Sequence, residues 1–339
     1  MYKKINTDKD KIGLYLTSKY LCYTLKSEEY RLYVCSIEDE SEIIFISEEK
    51  KVNYYSIYGD NLIYISRDED STFLVNLKSK NKNQIDEILY DLVDNYYKKN
   101  KNYHCDNNHV YIYDLLSGNI VKIIKKTIIG YPKLGTDDYI ITNNNIYIYV
   151  YSKTDFTLLW QKDLSEQTQY TEWDGTEEKG KIREVYEYQD SVIVLTQMFI
   201  LRIDLQTGDI IYSLQLPAGL MELSIVDNRA YGCYGYHYME IDIEKGRLLK
   251  FIRIENAVYQ GKEYNAIMDS PKFHEGYVFH GVRLEGGYYA ISALDAQTEK
   301  RIWIDLLGTY MVEKIEFYEN KMFVSDSGGS LYIYEKEDA

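Results

Sequence analysis

The feature that most constrains this chain is a unit that recurs along it: a short apolar strand, a turn, an alternating strand ending near Asp, a tight polar turn, and one more strand. The clearest copy runs Ser191-Val-Ile-Val-Leu-Thr196, Phe199-Ile-Leu-Arg-Ile-Asp-Leu205, Gln206-Thr-Gly-Asp209 and Ile210-Ile-Tyr-Ser-Leu-Gln-Leu216. A second copy reads Arg229-Ala-Tyr-Gly-Cys-Tyr234, His237-Tyr-Met-Glu-Ile-Asp-Ile243, Glu244-Lys-Gly246 and Leu248–Ile254; a third spans 276–306, and looser copies lie at 138–160, 110–124 and 30–46. Strands of four to seven residues that alternate, or are apolar throughout, are expected where both faces of a sheet are packed. The turns of the second half recur at intervals of about 38 to 52 residues, which suits propeller blades better than leucine-rich or helical repeats.

Composition fits strands. There are 38 tyrosines and 3 prolines in 339 residues, and an aromatic ring suits a pleated, half-buried surface. With 45% apolar and 27% charged residues, a disordered chain is excluded. The formal charge of −15 argues against nucleic acid and anionic membranes as partners, since both are gripped by Lys and Arg. No run nears the ~18 apolar residues of a membrane span. The opening segment Met1–Lys11 has a basic flavour with no apolar stretch behind it, so a cytoplasmic protein is expected. Cys22, Cys35, Cys105 and Cys233 show no CxxC spacing and read as free thiols of a reducing compartment.

The strand-Asp-x-x-Thr-Gly-x-x-x-Trp wording resembles the PQQ-like (quinoprotein alcohol dehydrogenase-like) family of β-propellers. The residues that carry it are Asp204, Thr207 and Gly208; Asp242 and Gly246; Asp295, Thr298 and Trp303; and Leu159 with Trp160. It covers most of residues 105 to 335 and, more loosely, 12 to 77. The resemblance implies a propeller, with PQQ in its enzyme members. Those enzymes carry a vicinal disulfide, a tryptophan floor and a calcium-ligating set. This chain has no Cys-Cys pair, and Trp160, Trp173 and Trp303 read as packing or loop residues, so no cofactor is expected.

Residues 84–99 break the alternation. Ile85, Ile88, Leu89, Leu92, Val93, Tyr96 and Tyr97 would share one face of an amphipathic helix, with acids early and Lys98 and Lys99 late. A helix inserted there gives seven blades; a hairpin over 72–92 gives eight. Near the end of the chain, Lys321–Ser325 and Leu331–Tyr334 supply two strands, and Tyr2–Asn6 is placed to complete their sheet, which would remove two exposed edges. The expectation is therefore an all-β, single-domain propeller over 1–339. It has seven blades, with eight as the alternative, closure by the N-terminal strand, and a short helical insertion near 84–99.

Chemistry-bearing motifs are sparse. His274 and His280 are about 20 Å apart on one strand, too far to share an ion. His104, Cys105 and His109 would need a tight turn to do so, and no metal is expected. Asp68–Asp70 and Glu38–Glu40 fill hairpin turns without calcium-loop spacing. The sequence has no Gly-x-x-x-x-Gly-Lys, Gly-x-Ser-x-Gly or His-Glu-x-x-His motif, and Gly328-Gly329 reads as a strand turn.

Two long connections stand out. Residues 165–182 show no strand pattern and hold Glu172, Trp173 and Asp174; residues 255–272 hold Tyr259, Tyr264, Met268 and Asp269 and end at Pro271. Long loops in a compact repeat are disproportionately functional. An aromatic among carboxylates suits a basic protein surface, with Trp173 as the anchor. Projecting from neighbouring blades to one face, the two loops would build a shared wall. The function read from this is a non-enzymatic protein-binding propeller with a basic partner, in its narrower form an immunity- or antitoxin-type inhibitor. The alternative is a hydrolase or lyase at the central channel, which would bring His237, His280, Arg283 and an Asp into one pocket.

Overall fold

The apolar runs become the second and third strands of four-stranded antiparallel sheets in the computed structural model, which describes residues 2–39, 41–85, 103–105, 109–113, 120–125, 129–136, 138–264 and 267–337. All but the last of these sheets are built from consecutive strands. The first comprises Lys11–Leu16, Tyr20–Leu25, Arg31–Ser36 and Ile43–Ile46, and the second Val52–Tyr58, Asn61–Ser66, Ser71–Asn76 and Lys82–Ile85. The third shows three described strands, Tyr103–Cys105, His109–Tyr113 and Ile120–Lys125. The fourth holds Tyr131–Gly135, Tyr139–Asn144, Tyr147–Ser152 and Leu158–Asp163; the fifth holds Ile182–Tyr188, Ser191–Thr196, Phe199–Asp204 and Ile210–Gln215. The sixth has Ser224–Val226, Arg229–Tyr234, His237–Asp242 and Arg247–Arg253, and the seventh Ile267–His274, Tyr277–Arg283, Tyr289–Asp295 and Arg301–Gly308. The eighth is made by Val312–Tyr318, Lys321–Asp326 and Leu331–Lys336, with Tyr2–Asp8 from the other end of the chain as its fourth strand, paired antiparallel to Leu331–Lys336.

Among the described residues there are eight sheets of three or four strands and two two-stranded hairpins, against the seven blades, with eight as the alternative, expected from the sequence. The discrepancy lies at Gln84 and Ile85. They belong to the strand Lys82–Ile85, which pairs with Ser71–Asn76 and completes the second sheet, rather than opening a helix. The hairpin near 109–124 then acquires its own partner in Tyr103–Cys105. The rest of the expected helix, 86–99, lies outside the described residues.

The sheets stack on one another. Ile141, Val150, Val185, Val194 and Leu201 form the layer between the fourth and fifth sheets, and Ile193, Ile200, Ala230, Met239 and Ile241 the next. Phe279, Ile291, Val324 and Tyr334 join the seventh to the eighth. The eighth packs on the first through Phe323, Leu331 and Ile333 against Leu21, Tyr23 and Tyr33, and the first on the second through Cys22, Val34, Leu62 and Tyr64. Burial of both faces explains why central strands such as Ser191–Thr196 are buried at every position.

The turn between third and fourth strands, Asp-x-x-Thr-Gly or a variant of it, locks the fifth, sixth and seventh sheets each to the one before it. Asp204 Oδ1 accepts the Gln206 and Thr207 amides at 2.9 and 2.8 Å, and Asp295 repeats this with Gln297 and Thr298. Those amides, Thr207 and Thr298 foremost, hold the two carboxyls below their usual range. Trp160, on the outer strand of the fourth sheet, lays its ring on the turn of the fifth, and its Nε1–H donates to Leu205 O at 2.8 Å. Gly208 has φ +74°, and a Cβ there would stand 2.8 Å from the Trp160 ring. Tyr212 repeats the device on the sixth sheet, lying against Gly246 and donating to Ile243 O at 2.6 Å. Lys250 takes the same register on the next outer strand and donates to Ala296 O at 2.8 Å.

Gly208→Ala should therefore cost about 2–4 kcal/mol in urea unfolding, combining left-handed strain with overpacking. Gly175→Ala, where φ is +86° and no atom lies within 4 Å, should cost about 1 kcal/mol from strain alone. Equal costs would remove the docking argument.

Candidate functional site

In each four-stranded sheet built from consecutive strands the first-to-second and third-to-fourth turns share one end, while the second-to-third turn and the connections to neighbouring sheets share the other. Contacts between neighbouring sheets keep these ends in register. Ile182 N donates to Asn145 O, Met268 N to Gly235 O and Lys51 N to Glu29 O, each joining the start of one sheet to a second-to-third turn of its predecessor. Among the described residues, every large apolar side chain that is exposed in a connection rather than a strand lies at this connecting end: Ile129, Trp173, Met221, Tyr288, Tyr310 and Met311. The exposed residues of the opposite turns are polar, among them Lys19, Lys78, Asp190, Gln206, Asn228 and Glu275. Sequence reasoning missed this asymmetry, because the residues are single and far apart in the chain.

The connection at 165–182 is more ordered than expected. It folds into a two-stranded hairpin, Gln169–Thr171 with Glu177–Lys179. Leu164 and Tyr170 root it in the layer between the fourth and fifth sheets. The Tyr170 hydroxyl donates to Glu172 Oε1 at 3.0 Å, Thr168 Oγ1 to Leu164 O at 2.8 Å and Gln169 Nε2 to Glu177 Oε2 at 3.0 Å. At the tip, Asp174 Oδ1 accepts the Thr176 amide and Gly175 supplies positive φ. The Thr176 hydrogen bonds hold the Asp174 carboxyl below its usual range. On this braced tip Trp173 is 94% exposed, between the half-buried Glu172 and the exposed Asp174. Residues 165–181 hold five acids and two lysines. Beside the hairpin lies an open cleft of about 440 Å³, lined by Asn144, Asn145, Ile146, Tyr147, Glu177, Glu178, Lys179 and Lys181.

The second connection corrects part of the expectation. Ala257–Tyr259 pairs with Lys262–Tyr264 as a smaller hairpin. Tyr264 packs against Ala257, Val282, Leu284 and Ala290, and Lys262 Nζ stands 4.8 Å from its ring centroid. Tyr264 is thus a packing residue, while Tyr259 is half-buried. Asp269 is not in a loop. It lies on the first strand of the seventh sheet opposite Gly281, and Pro271 sits in the register shift between Asp269 and Lys272 rather than ending the connection. The hairpins both stand at the connecting end, but their sheets are not neighbours. The sixth sheet lies between them, and the Leu216–Leu223 connection that precedes it carries exposed Met221.

Residues named for a channel enzyme lie apart. His237 stacks on Phe251 with ring centroids 4.6 Å apart; His280 is sealed inside an inter-sheet layer; Arg283 is exposed at a strand end. An acidic cleft of about 430 Å³ at the opposite end is lined by Asp138, Glu187, Asp190 and Asp204, the last already engaged in its turn. Among the described residues no group of three or more His, Cys, Asp or Glu is placed to hold a metal. Nor is any described helix long and apolar enough to cross a membrane.

No family model and no curated protein matches this chain. Solved structures of similar fold include the computationally designed Ika8 protein, 11% identical with TM-score 0.63 over 98% of both chains. BamB from Moraxella catarrhalis is 10% identical with TM-score 0.62, over 99% of this chain and 100% of its own. Sqt1 from Saccharomyces cerevisiae is 9% identical with TM-score 0.65, over 99% of this chain and 98% of its own. BamB is a PQQ-like propeller and Sqt1 a WD-repeat propeller; at these identities the likeness shows the fold, a β-propeller, and nothing finer.

Because Trp173 is outside every core layer, Trp173→Phe should shift the urea midpoint by no more than the equivalent of about 0.5 kcal/mol. It should also remove most of the acrylamide-quenchable tryptophan emission. Persistence of that emission would mean the hairpin tip is covered.

Proposed function

We propose that this chain is a closed, eight-bladed cytoplasmic propeller that binds a protein partner through its connecting end. The hairpin tip Glu172–Trp173–Asp174 is the anchor and the 440 Å³ cleft beside it receives part of the partner. The observation that carries this reading is the one-sided distribution of the exposed apolar side chains that lie in connections, concentrated in an almost fully exposed tryptophan on a braced support. A soluble protein gains nothing from holding an indole in water. A partner that covers it removes on the order of 200 Å² of aromatic surface, worth roughly 5 kcal/mol at about 25 cal/mol per Å².

The acids around the tip favour a partner with a basic surface. Their effect falls mainly on association rate and salt dependence, while the indole sets dissociation. Met221, Tyr259 and exposed Val258 extend the same face toward the seventh sheet. An inhibitor of a basic toxin is the narrower form of this reading and draws on the acidity, the tyrosine-rich, low-proline composition and the sparse catalytic motifs of the sequence.

The test is affinity capture from the native lysate with wild type, Trp173→Ala and the pair Glu177→Lys/Glu178→Lys, followed by measured affinity for the captured protein. Trp173→Ala should weaken binding by more than about tenfold, consistent with an anchor residue worth about 2 kcal/mol. The charge reversal should slow association and flatten its salt dependence. A partner held equally well by all three proteins would show that this face is not the binding surface.

A further inference from the structure

One inter-sheet layer is not apolar throughout. Between the sixth and seventh sheets, Cys233 and Tyr238 meet Val278 and Leu294. His280 and Ser292 are direct cross-strand partners in the seventh sheet, and they share a face with Leu294, opposite which Arg301 stands. His280 and Ser292 are fully buried. Arg301 Nη1 donates to Ser292 Oγ at 2.5 Å, and that hydroxyl donates to Trp303 O at 2.9 Å. His280 Nδ1 lies 3.1 Å from Gly281 O, so Nδ1 carries the proton and Nε2 presents a lone pair.

Four polar atoms in this layer are sealed from solvent without a hydrogen-bond partner: Arg301 Nε and Nη2, His280 Nε2 and the Tyr238 hydroxyl. No carboxylate pairs with Arg301 among the described residues. Burial brings Arg301 down to about 10, the Cys233 thiol acting against it, and burial followed by the Arg301 charge brings His280 down to about 3. A guanidinium buried without a counter-charge is among the costlier arrangements a core can hold. The free atoms also have a pattern. Nε–H and Nη2–H form the side-on edge of the guanidinium fork, which matches two oxygens of a planar anion. In the same layer, and within reach of the Arg301 charge, is an acceptor, His280 Nε2, which calls for an O–H.

We propose that this layer is a binding site for a small, planar, monovalent oxyanion that carries one O–H, the chemistry of hydrogencarbonate. The Arg301 fork holds two oxygens, His280 Nε2 accepts the hydroxyl proton of the ligand, and the Tyr238 hydroxyl donates to a remaining lone pair. The site lies inside the ring and is separate from the proposed interaction face, so either can fail without the other.

The experiment measures urea unfolding at pH 8 and fixed ionic strength against hydrogencarbonate, formate and chloride. With hydrogencarbonate the unfolding constant should fall about tenfold per tenfold rise in concentration above the dissociation constant, the slope of one bound ion. Formate, which lacks the O–H, should reach that slope only at concentrations at least tenfold higher, and chloride should leave the constant unchanged. Arg301→Lys, which keeps the charge and loses the fork, should abolish the response. In crystals of the wild type grown with hydrogencarbonate, planar density should lie within hydrogen-bond distance of Arg301 Nε and Nη2, a readout that does not depend on the variant folding. Equal responses to the three anions, a full response in Arg301→Lys, or ordered waters alone beside Arg301 would each overturn the proposal.

Discussion

Burial of both faces of the central strands, as seen among the described residues, is the constraint on which the rest of this structure depends. A strand such as Ser191–Thr196, buried throughout, cannot belong to a sheet with one wet face. Each sheet must find a neighbour on either side, and the chain supplies neighbours in sequence order. Phe323, Leu331 and Ile333 of the last sheet find theirs in Leu21, Tyr23 and Tyr33 of the first. The same demand explains the N-terminal strand. Without Tyr2–Asp8 the eighth sheet would expose an edge at Leu331–Lys336, and Tyr2 would leave its place in the layer with Phe279 and Tyr334.

Much of this was legible in the sequence because the demand acts on local patterns. Asp204, Thr207 and Gly208 are recognisable as a turn since each meets a backbone requirement within four residues. The docking of Trp160 and Tyr212 onto such turns was only half legible. Trp160 reads as a packing residue, yet Lys250 does the same work with a hydrogen bond to Ala296, and no pattern of residue types links a lysine to a tryptophan. Residues 82–85 went astray because a polar outer strand bordering an amphipathic stretch offers no alternation to follow. Pro271 misled for the opposite reason. A proline normally marks a boundary, but a bulge in a strand at the edge of its sheet tolerates it, so the stretch around Asp269 reads as a loop although it forms a strand.

The candidate site was legible where it interrupts the pattern and illegible where it is assembled across sheets. Trp173 announces itself as an aromatic in a stretch without strand periodicity, and the structure adds the support, with Tyr170 and Leu164 as roots. Tyr264 is also an aromatic in a long connection, but its ring packs against Ala257, Val282 and Ala290. Ile129, Met221, Tyr288 and Tyr310 gain meaning only once the ring places their connections at one end. The scaffold is therefore written in repeated local rules, and the surface that distinguishes this propeller from others is written in single residues.

The central claim is that the two ends of the chain meet in one sheet and so bring the first and last sheets together. Lys3 and Glu335 face each other across that junction. In a Lys3→Cys/Glu335→Cys variant, mild oxidation should give an intramolecular disulfide. Closing a loop of most of the chain, it should raise stability by about 4–6 kcal/mol, reversibly with reductant. A pair that stays reduced, or that links only separate molecules, would contradict the account.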